Sequence, residues 1–236
     1  MEIDVSKKLQ SLKCDALPKS DSKTITLISK RYQRGRVEMS RITRAINFAG
    51  LAFAVAIVGT PALAGPGGLV RPLKNATNAS FMPQGKQTIA PFAHVRFCLA
   101  SPEECSDGSG PSIVDMTPAK LRMLRSVNSR VNNSIEPYMP DGPETWVINP
   151  ERGNCHDYAV TKRHELIRQG WPAASLRLAV AYTPSGIGHL VVVVRTSEGD
   201  LVLDNLTEKI VAWNKSGLRF IAVEAGDKPR VWFAMR

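Results

Sequence analysis

Gly153-Asn154-Cys155-His156-Asp157-Tyr158-Ala159, with the change of hydrophobic period after it, decides the fold. Asn154 suits a helix N-cap, and Asp157, three residues on, can return a hydrogen bond to the cap. A helix is therefore predicted from Cys155 to about Gln169, with Gly170 stopping it. Beyond it the pattern turns extended: 176–182 is a β-rich run, 183–188 a turn, and 189–194 a strand apolar on both faces. Residues 197–200 turn into Leu201-Val202-Leu203-Asp204, and shorter strands near 220–223 and 231–234 complete a small antiparallel sheet. Upstream, Thr117-Pro118 reads as an N-cap with proline at the first helical position. Leu121, Leu124, Val127 and Val131 then recur on one face, predicting a helix over 118–132. Helices first and sheet second make an α+β domain, with helices packed on a small antiparallel sheet.

The N-terminal part reads differently. Arg41 and Arg44 precede the uncharged residues 45–64, whose apolar centre is 51–58, and Ala62-Leu63-Ala64 offers a small-x-small cleavage site. The expectation is a secretory signal over 39–64, cut after Ala64, with 1–38 as an upstream extension or a misplaced start. The alternative is an uncleaved inner-membrane anchor over 45–64, a reading that Asn47, Gly50, Gly59 and Pro61 weaken. Residues 65–91, rich in Gly, Pro, Asn and Thr, read as a linker, and 92–236 as one catalytic domain. The glycosylation sequons at Asn75 and Asn78 are discounted, since both fall in this linker behind a bacterial-type signal. The expected location is periplasmic or secreted, with no stable membrane insertion after cleavage.

Charge follows the same division. Residues 1–38 carry nine Lys/Arg against five Asp/Glu and 39–64 add two Arg, so six of the ten net positive charges precede residue 65. Four remain on the following 172 residues, without a Lys/Arg run interleaved with aromatics, so a nucleic-acid partner is not expected. Cys14 departs with the leader. Cys98 and Cys105 flank a short Pro-containing loop that a disulfide would close, leaving Cys155 as the odd thiol. A buried core cysteine, or a pairing of Cys155 with one of the others, are the alternatives.

A cysteine in the first turn of a helix lies among unpaired N–H groups and the positive end of the dipole, which favours the nucleophilic thiolate. The same N–H groups can stabilise an oxyanion, and the Trp146 indole offers a further donor, with an ordinary core tryptophan as the plain alternative. His189, at a strand mouth after Gly186-Ile187-Gly188, suits a general base, with a sheet-edge histidine as the plain alternative. Asp204 interrupts an apolar run and is costly unless paired, either by orienting an imidazole or by starting a turn. If the intervening hairpin centres between Thr196 and Ser197, Asp204 lies opposite His189. If it centres on Glu198-Gly199, Asp204 keeps the same face but pairs with Val193. Zinc is not expected at Cys155, His156 and Asp157, because adjacent helical residues do not converge on one ion. His94 and His164 read as ordinary surface or helix histidines.

Gly153-Asn154-Cys155-His156-Asp157-Tyr158-Ala159, Lys162 to Pro172, Gly188-His189 and Leu203-Asp204-Asn205 together resemble the bacterial transglutaminase-like cysteine peptidases, the group that includes the LapG-type periplasmic proteases. The paired cysteines ahead of the domain resemble its rhizobial-type branch. The resemblance covers roughly 92–233 and implies a papain-like fold, Cys155 as nucleophile, His189 as general base, Asp204 as orienting carboxylate, and a protein or peptide substrate in the periplasm. No cofactor is required by that chemistry. LapG-type members carry Gly-Asp-Cys-Glu-Asp, a pattern linked to calcium; here Asn154 and His156 replace two of the acids and only Asp157 remains, which puts calcium dependence in doubt. Acyl transfer to an amine, and a silent binding module on the same fold, are the alternative functions. Oligomeric state is not legible.

Overall fold

The chain folds, from its N-terminal side, through β1 (Gln87–Thr88), α1 (Phe92–Ala100), α2 (Pro118–Ser134), β2 (Glu136–Pro137), β3 (Arg152–Gly153) and α3 (Cys155–Arg168). Six strands follow: β4 (Leu176–Tyr182), β5 (Gly188–Thr196), β6 (Gly199–Leu203), β7 (Val211–Ala212), β8 (Arg219–Glu224) and β9 (Trp232–Ala234). The structure is a computed structural model that describes Cys14, residues 79–139 and residues 141–235. Apart from Cys14, the expected extension, the signal segment, the sequon asparagines and most of the linker lie outside the described residues.

A seven-stranded antiparallel sheet forms in the order β1-β9-β8-β4-β5-β6-β7, while β2 and β3 make a separate two-residue parallel pair. The β5 run is apolar on both faces because both faces are covered. Leu190, Val192 and Val194 join Leu176, Leu178 and Val180 of β4 in a core with Leu124, Val127 and Val131 of α2 and Tyr158, Ala159 and Leu166 of α3. The alternate residues Val191 and Val193 pack with Ala179, Ala181, Val202, Phe220, Val223 and Met82 on the opposite face. Each Val, Leu, Phe or Met side chain among these contributes roughly 1.5–3 kcal/mol on burial.

Helix α2 starts as predicted, with Thr117 Oγ1 accepting from Lys120 N at 3.2 Å, and α3 ends before Gly170, which takes φ +87°. Helix α1 escapes the periodicity argument. Its apolar residues point both ways, with Ala93, Phe97 and Cys98 buried while Phe92, Val95 and Leu99 stay exposed. Cys98 and Cys105 are joined by a disulfide that closes the loop after this helix.

The sequence reading extends the linker to residue 91, whereas residues 80–88 are built into the domain. Ser80 bridges Gly199, β1 pairs with β9, and Met82 N donates to Asp200 Oδ2 at 2.7 Å. Asp200 is fully buried and also accepts from Arg177 Nη2 at 2.7 Å and Arg195 Nε at 3.2 Å. A buried carboxylate shared by two guanidinium groups and a backbone amide fixes the strap to the sheet, a constraint invisible in a Gly/Pro-rich composition.

Removing this carboxylate strands the buried Arg177 guanidinium. Asp200→Ala is expected to lower unfolding free energy by roughly 3–5 kcal/mol in urea titrations, with faster amide exchange at residues 80–88. A loss within about 0.5 kcal/mol, the range of an ordinary surface change, would contradict this role.

Candidate active site

Helix α3 is unusual in that every residue from Cys155 to Arg163 is buried. Sheet and α2 cover it from different sides, so each polar side chain on it needs a partner, and the partners position the surrounding loops. Asn154 Oδ1 accepts from His156 N at 3.0 Å, and Asp157 Oδ2 accepts from Asn154 N at 2.9 Å, the predicted reciprocal cap. Asp157 Oδ1 accepts from Val147 N at 2.8 Å, tying the preceding loop to the helix. Burial works to raise the Asp157 pKa against these two amide hydrogen bonds, and it prevails. Gly153 is required here, since a Cβ on it would lie 2.3 Å from Asp157 Oδ2. Thr161 Oγ1 accepts from Asn149 N at 2.9 Å, and Arg163 Nη1 donates to Glu104 O at 2.6 Å.

Cys155 occupies the first position of α3, buried, with the Leu190 amide 3.3 Å from its Sγ. The next residue toward the N-terminus of β5 is His189. Its Nε2 lies 2.7 Å from Asp204 Oδ1, leaving Nδ1 as the ring nitrogen available to a thiol. The hairpin register falls between the two predicted alternatives: Thr196 pairs with Gly199 and Val192 with Leu203. Asp204 therefore sits just past the end of β6, on the same face as His189 and diagonal to it. Among the described residues no hydrogen bond joins Cys155 Sγ to the His189 ring.

The sequence reading leaves Cys155 unpaired after loss of Cys14. In this structure the two are joined by a disulfide, with Cys14 buried and its sulfur 3.5 Å from His156 Nε2. In that form the sulfur is not a nucleophile.

Asp204 is held from several directions that the sequence reading missed. Asn132 Nδ2, on α2, donates to the Asp204 carbonyl at 3.1 Å, and Asn128 Nδ2, one turn earlier, donates to Thr207 O at 3.1 Å. Asp204 Oδ1 also accepts from Leu206 N at 2.9 Å, so one oxygen meets both the imidazole and the amide of the following turn. Burial acts to raise the Asp204 pKa, but the hydrogen bond and charge of His189, the Leu206 amide and Lys162 outweigh it and hold the carboxyl below its ordinary value. Its contribution to stability is thus present above the unfolded-state pKa and lost as pH falls through the lowered folded value. A polar Asn128 within the apolar face of Leu124, Val127 and Val131 was the available signal.

Trp146 stacks on His156, with ring centroids 5.1 Å apart and planes 13° apart, and its buried indole N–H has no hydrogen-bond partner among the described residues. His156 Nδ1 lies 2.8 Å from Glu144 Oε1, a second imidazole–carboxylate pair beside the thiol position. His164 contacts Glu104. His94, expected on an ordinary helix or surface, is 1 % exposed, because the ring fills the gap between the Cys98–Cys105 loop, Trp146 and Trp232. Near Cys155, Asn154 Oδ1 and both Asp157 carboxylate oxygens accept from backbone amides, and Glu144 Oε1 faces His156. The side-chain groups with metal-ligand spacing, among the described residues, are Cys14–Cys155–His156 and His94–Cys98–Cys105. Sulfur and imidazole donors do not fit calcium, a hard cation that takes six to eight oxygens.

Lys162 lies two turns along α3 from Cys155, fully buried; burial pushes its ammonium down to about 7 against the pull of Asp204 and Glu208. The unfolded chain, with its amine near 10.5, binds the additional proton above pH 7, so stability rises with pH across that window. Compared with Lys162→Met, the chain is expected to gain about 1–2 kcal/mol between roughly pH 7 and 8.5 in urea unfolding. Equal pH profiles for the two proteins would contradict a buried, deprotonating lysine.

A search of curated proteins gave no match. Among solved structures, calcium-bound Legionella pneumophila LapG aligns at 23% identity over 51% of this chain and 71% of its own, with a TM-score of 0.44. Another Legionella pneumophila LapG structure aligns at 24% over 50% and 69% (TM-score 0.41), and the EGTA-treated form at 25% over 51% and 69% (TM-score 0.42). The mixed architecture of helices and antiparallel sheet fits a papain-like fold. Residues 84–236 match the family described as bacterial transglutaminase-like cysteine proteinase, BTLCP, and the chain belongs to that family.

Proposed function

We propose that this chain is an exported cysteine peptidase that hydrolyses a peptide bond in a periplasmic or surface protein through Cys155, His189 and Asp204. The observation that carries the reading is the 2.7 Å His189–Asp204 pair at the mouth of β5, one residue from the amide that faces Cys155 Sγ at the start of α3. Family membership supplies the reaction class, proteolysis by a cysteine, and hence a protein substrate.

The residues account for each step. With Cys14 released, His189 Nδ1 takes the thiol proton, and the helix N-terminus favours the resulting thiolate. Sulfur attacks the scissile carbonyl, whose developing negative charge is stabilised by N–H groups at the start of α3. The imidazolium then donates its proton to the leaving amine, giving an acyl-enzyme that water, activated by His189, hydrolyses. Asp204 fixes the ring through Nε2 and stabilises the cation. Glu144 and Trp146 hold His156 beside the thiol position. Loss of Cys14 with the leader, or reduction of its bond to Cys155, unmasks the nucleophile. Among the described residues no helix is long and apolar enough to cross a membrane.

The test is cleavage of a denatured protein mixture, read by mass spectrometry of new N-termini. Full-length Cys14→Ser is expected to cleave without reductant, and the wild-type chain only after reduction. Cys155→Ala should be inactive, and His189→Ala should lose about 10²–10⁴-fold in rate. Cleavage that persists in Cys155→Ala would overturn the reading, and isopeptide product in place of hydrolysis when an amine is supplied would make the chain an acyltransferase.

A further inference from the structure

A second cluster of reactive side chains lies away from Cys155, at the junction of α1, the loop after it and the end of β8. His94 and Cys98 are one turn apart on α1, and Cys105 closes the following loop. The ligand atoms of these three lie within 4.8 Å of one another, and all three residues are buried. His94 Nε2 is 3.6 Å from Cys98 Sγ and 3.9 Å from Cys105 Sγ. On its other side Nε2 lies 3.4 Å from Glu224 Oε1, a buried carboxylate oxygen that has no hydrogen-bond partner among the described residues. The second oxygen of Glu224 accepts from Leu178 N at 3.0 Å and faces Arg163 Nε at 4.0 Å.

These separations are close to the edges of a tetrahedral zinc site. With Zn–S bonds of about 2.3 Å and Zn–N and Zn–O bonds of about 2.0–2.2 Å, a nitrogen lies about 3.6 Å from each sulfur and about 3.4 Å from a carboxylate oxygen. The S···S edge is closed by a covalent bond and has to open to about 3.8 Å, and Glu224, which stands outside the three-residue group and reaches it through His94, has to move toward the sulfurs. A cleft of about 290 Å³, lined by Ala90, His94, Val95, Cys98, Leu99 and Arg230, gives an ion access. Arg163 offsets the extra negative charge of two thiolates and a carboxylate around a divalent ion.

We propose that, in the reduced chain, His94, Cys98, Cys105 and Glu224 bind one zinc ion, and that zinc and the Cys98–Cys105 disulfide are alternative closures of the same loop. A dithiol reductant supplies two electrons and two protons to the disulfide and becomes a disulfide itself. Zinc then displaces the two thiol protons and is held by two thiolates, neutral His94 and Glu224. In the reverse direction a disulfide oxidant takes two electrons from the thiolates, the S–S bond re-forms and zinc leaves. A chain assembled in a reducing compartment thus has its loop closed before an oxidising one supplies the disulfide.

The experiment uses the full-length chain carrying Cys14→Ser and Cys155→Ser, titrated with Co²⁺ with and without prior reduction. The reduced chain is expected to bind one ion, with a thiolate-to-cobalt charge-transfer band and a tetrahedral visible spectrum, and the oxidised chain none. His94→Ala and Glu224→Gln should each weaken affinity by about tenfold or more. Absence of the charge-transfer band, or a band unchanged by His94→Ala, would overturn the proposal. In the reduced chain with all its own cysteines, which needs no folded variant, zinc should protect Cys98 and Cys105 from alkylation. Protection of Cys14 and Cys155 alone would equally overturn it.

Discussion

The arrangement depends on burying the first nine residues of α3 on all sides. A helix with only one buried stripe can leave its polar residues in water; this one cannot. Asp157, Thr161 and Arg163 each lose their hydration; Asp157 and Thr161 recover hydrogen bonds from one loop, at Val147 and Asn149, and Arg163 from the segment at Glu104. The surface around Cys155 is thus set by polar groups that have nowhere else to bond. The positions of Trp146 and Glu144 follow from the same loop.

The second half of the site is placed by the sheet. Packing on both faces of β5 fixes which residues of the hairpin share a side, and this brings His189 and Asp204 together. Asp204 stands beyond the last paired residue of β6, where strand pairing no longer fixes it. Two asparagines of α2 take over that role, so helix and sheet are coupled through the loop that carries the carboxylate. Lys162 is buried close enough to influence its charge.

Much of this was legible in the sequence because it is local. The cap at Asn154 and Asp157, the end of α3 at Gly170, the run 176–182 and the doubly apolar β5 are encoded by neighbouring residues. The parity of His189 and Asp204 was legible as well, since a shift of two residues leaves a side chain on the same face. What escaped depends on distant partners. The strap at 80–88 is held by a carboxylate more than a hundred positions away, and α1 has no single apolar stripe. Burial of His94 follows from Trp146 and Trp232, and the Cys14–Cys155 bond joins residues 141 apart.

The central claim is that His189 and the start of α3 hold Cys155 as a thiolate. Its most direct test is the pH dependence of Cys155 alkylation in full-length Cys14→Ser, alongside the same chain carrying His189→Ala. The account predicts rapid labelling well below the free-thiol pKa of about 8.5, shifting toward that value when His189 is removed. Labelling that follows an ordinary thiol in both proteins would contradict it.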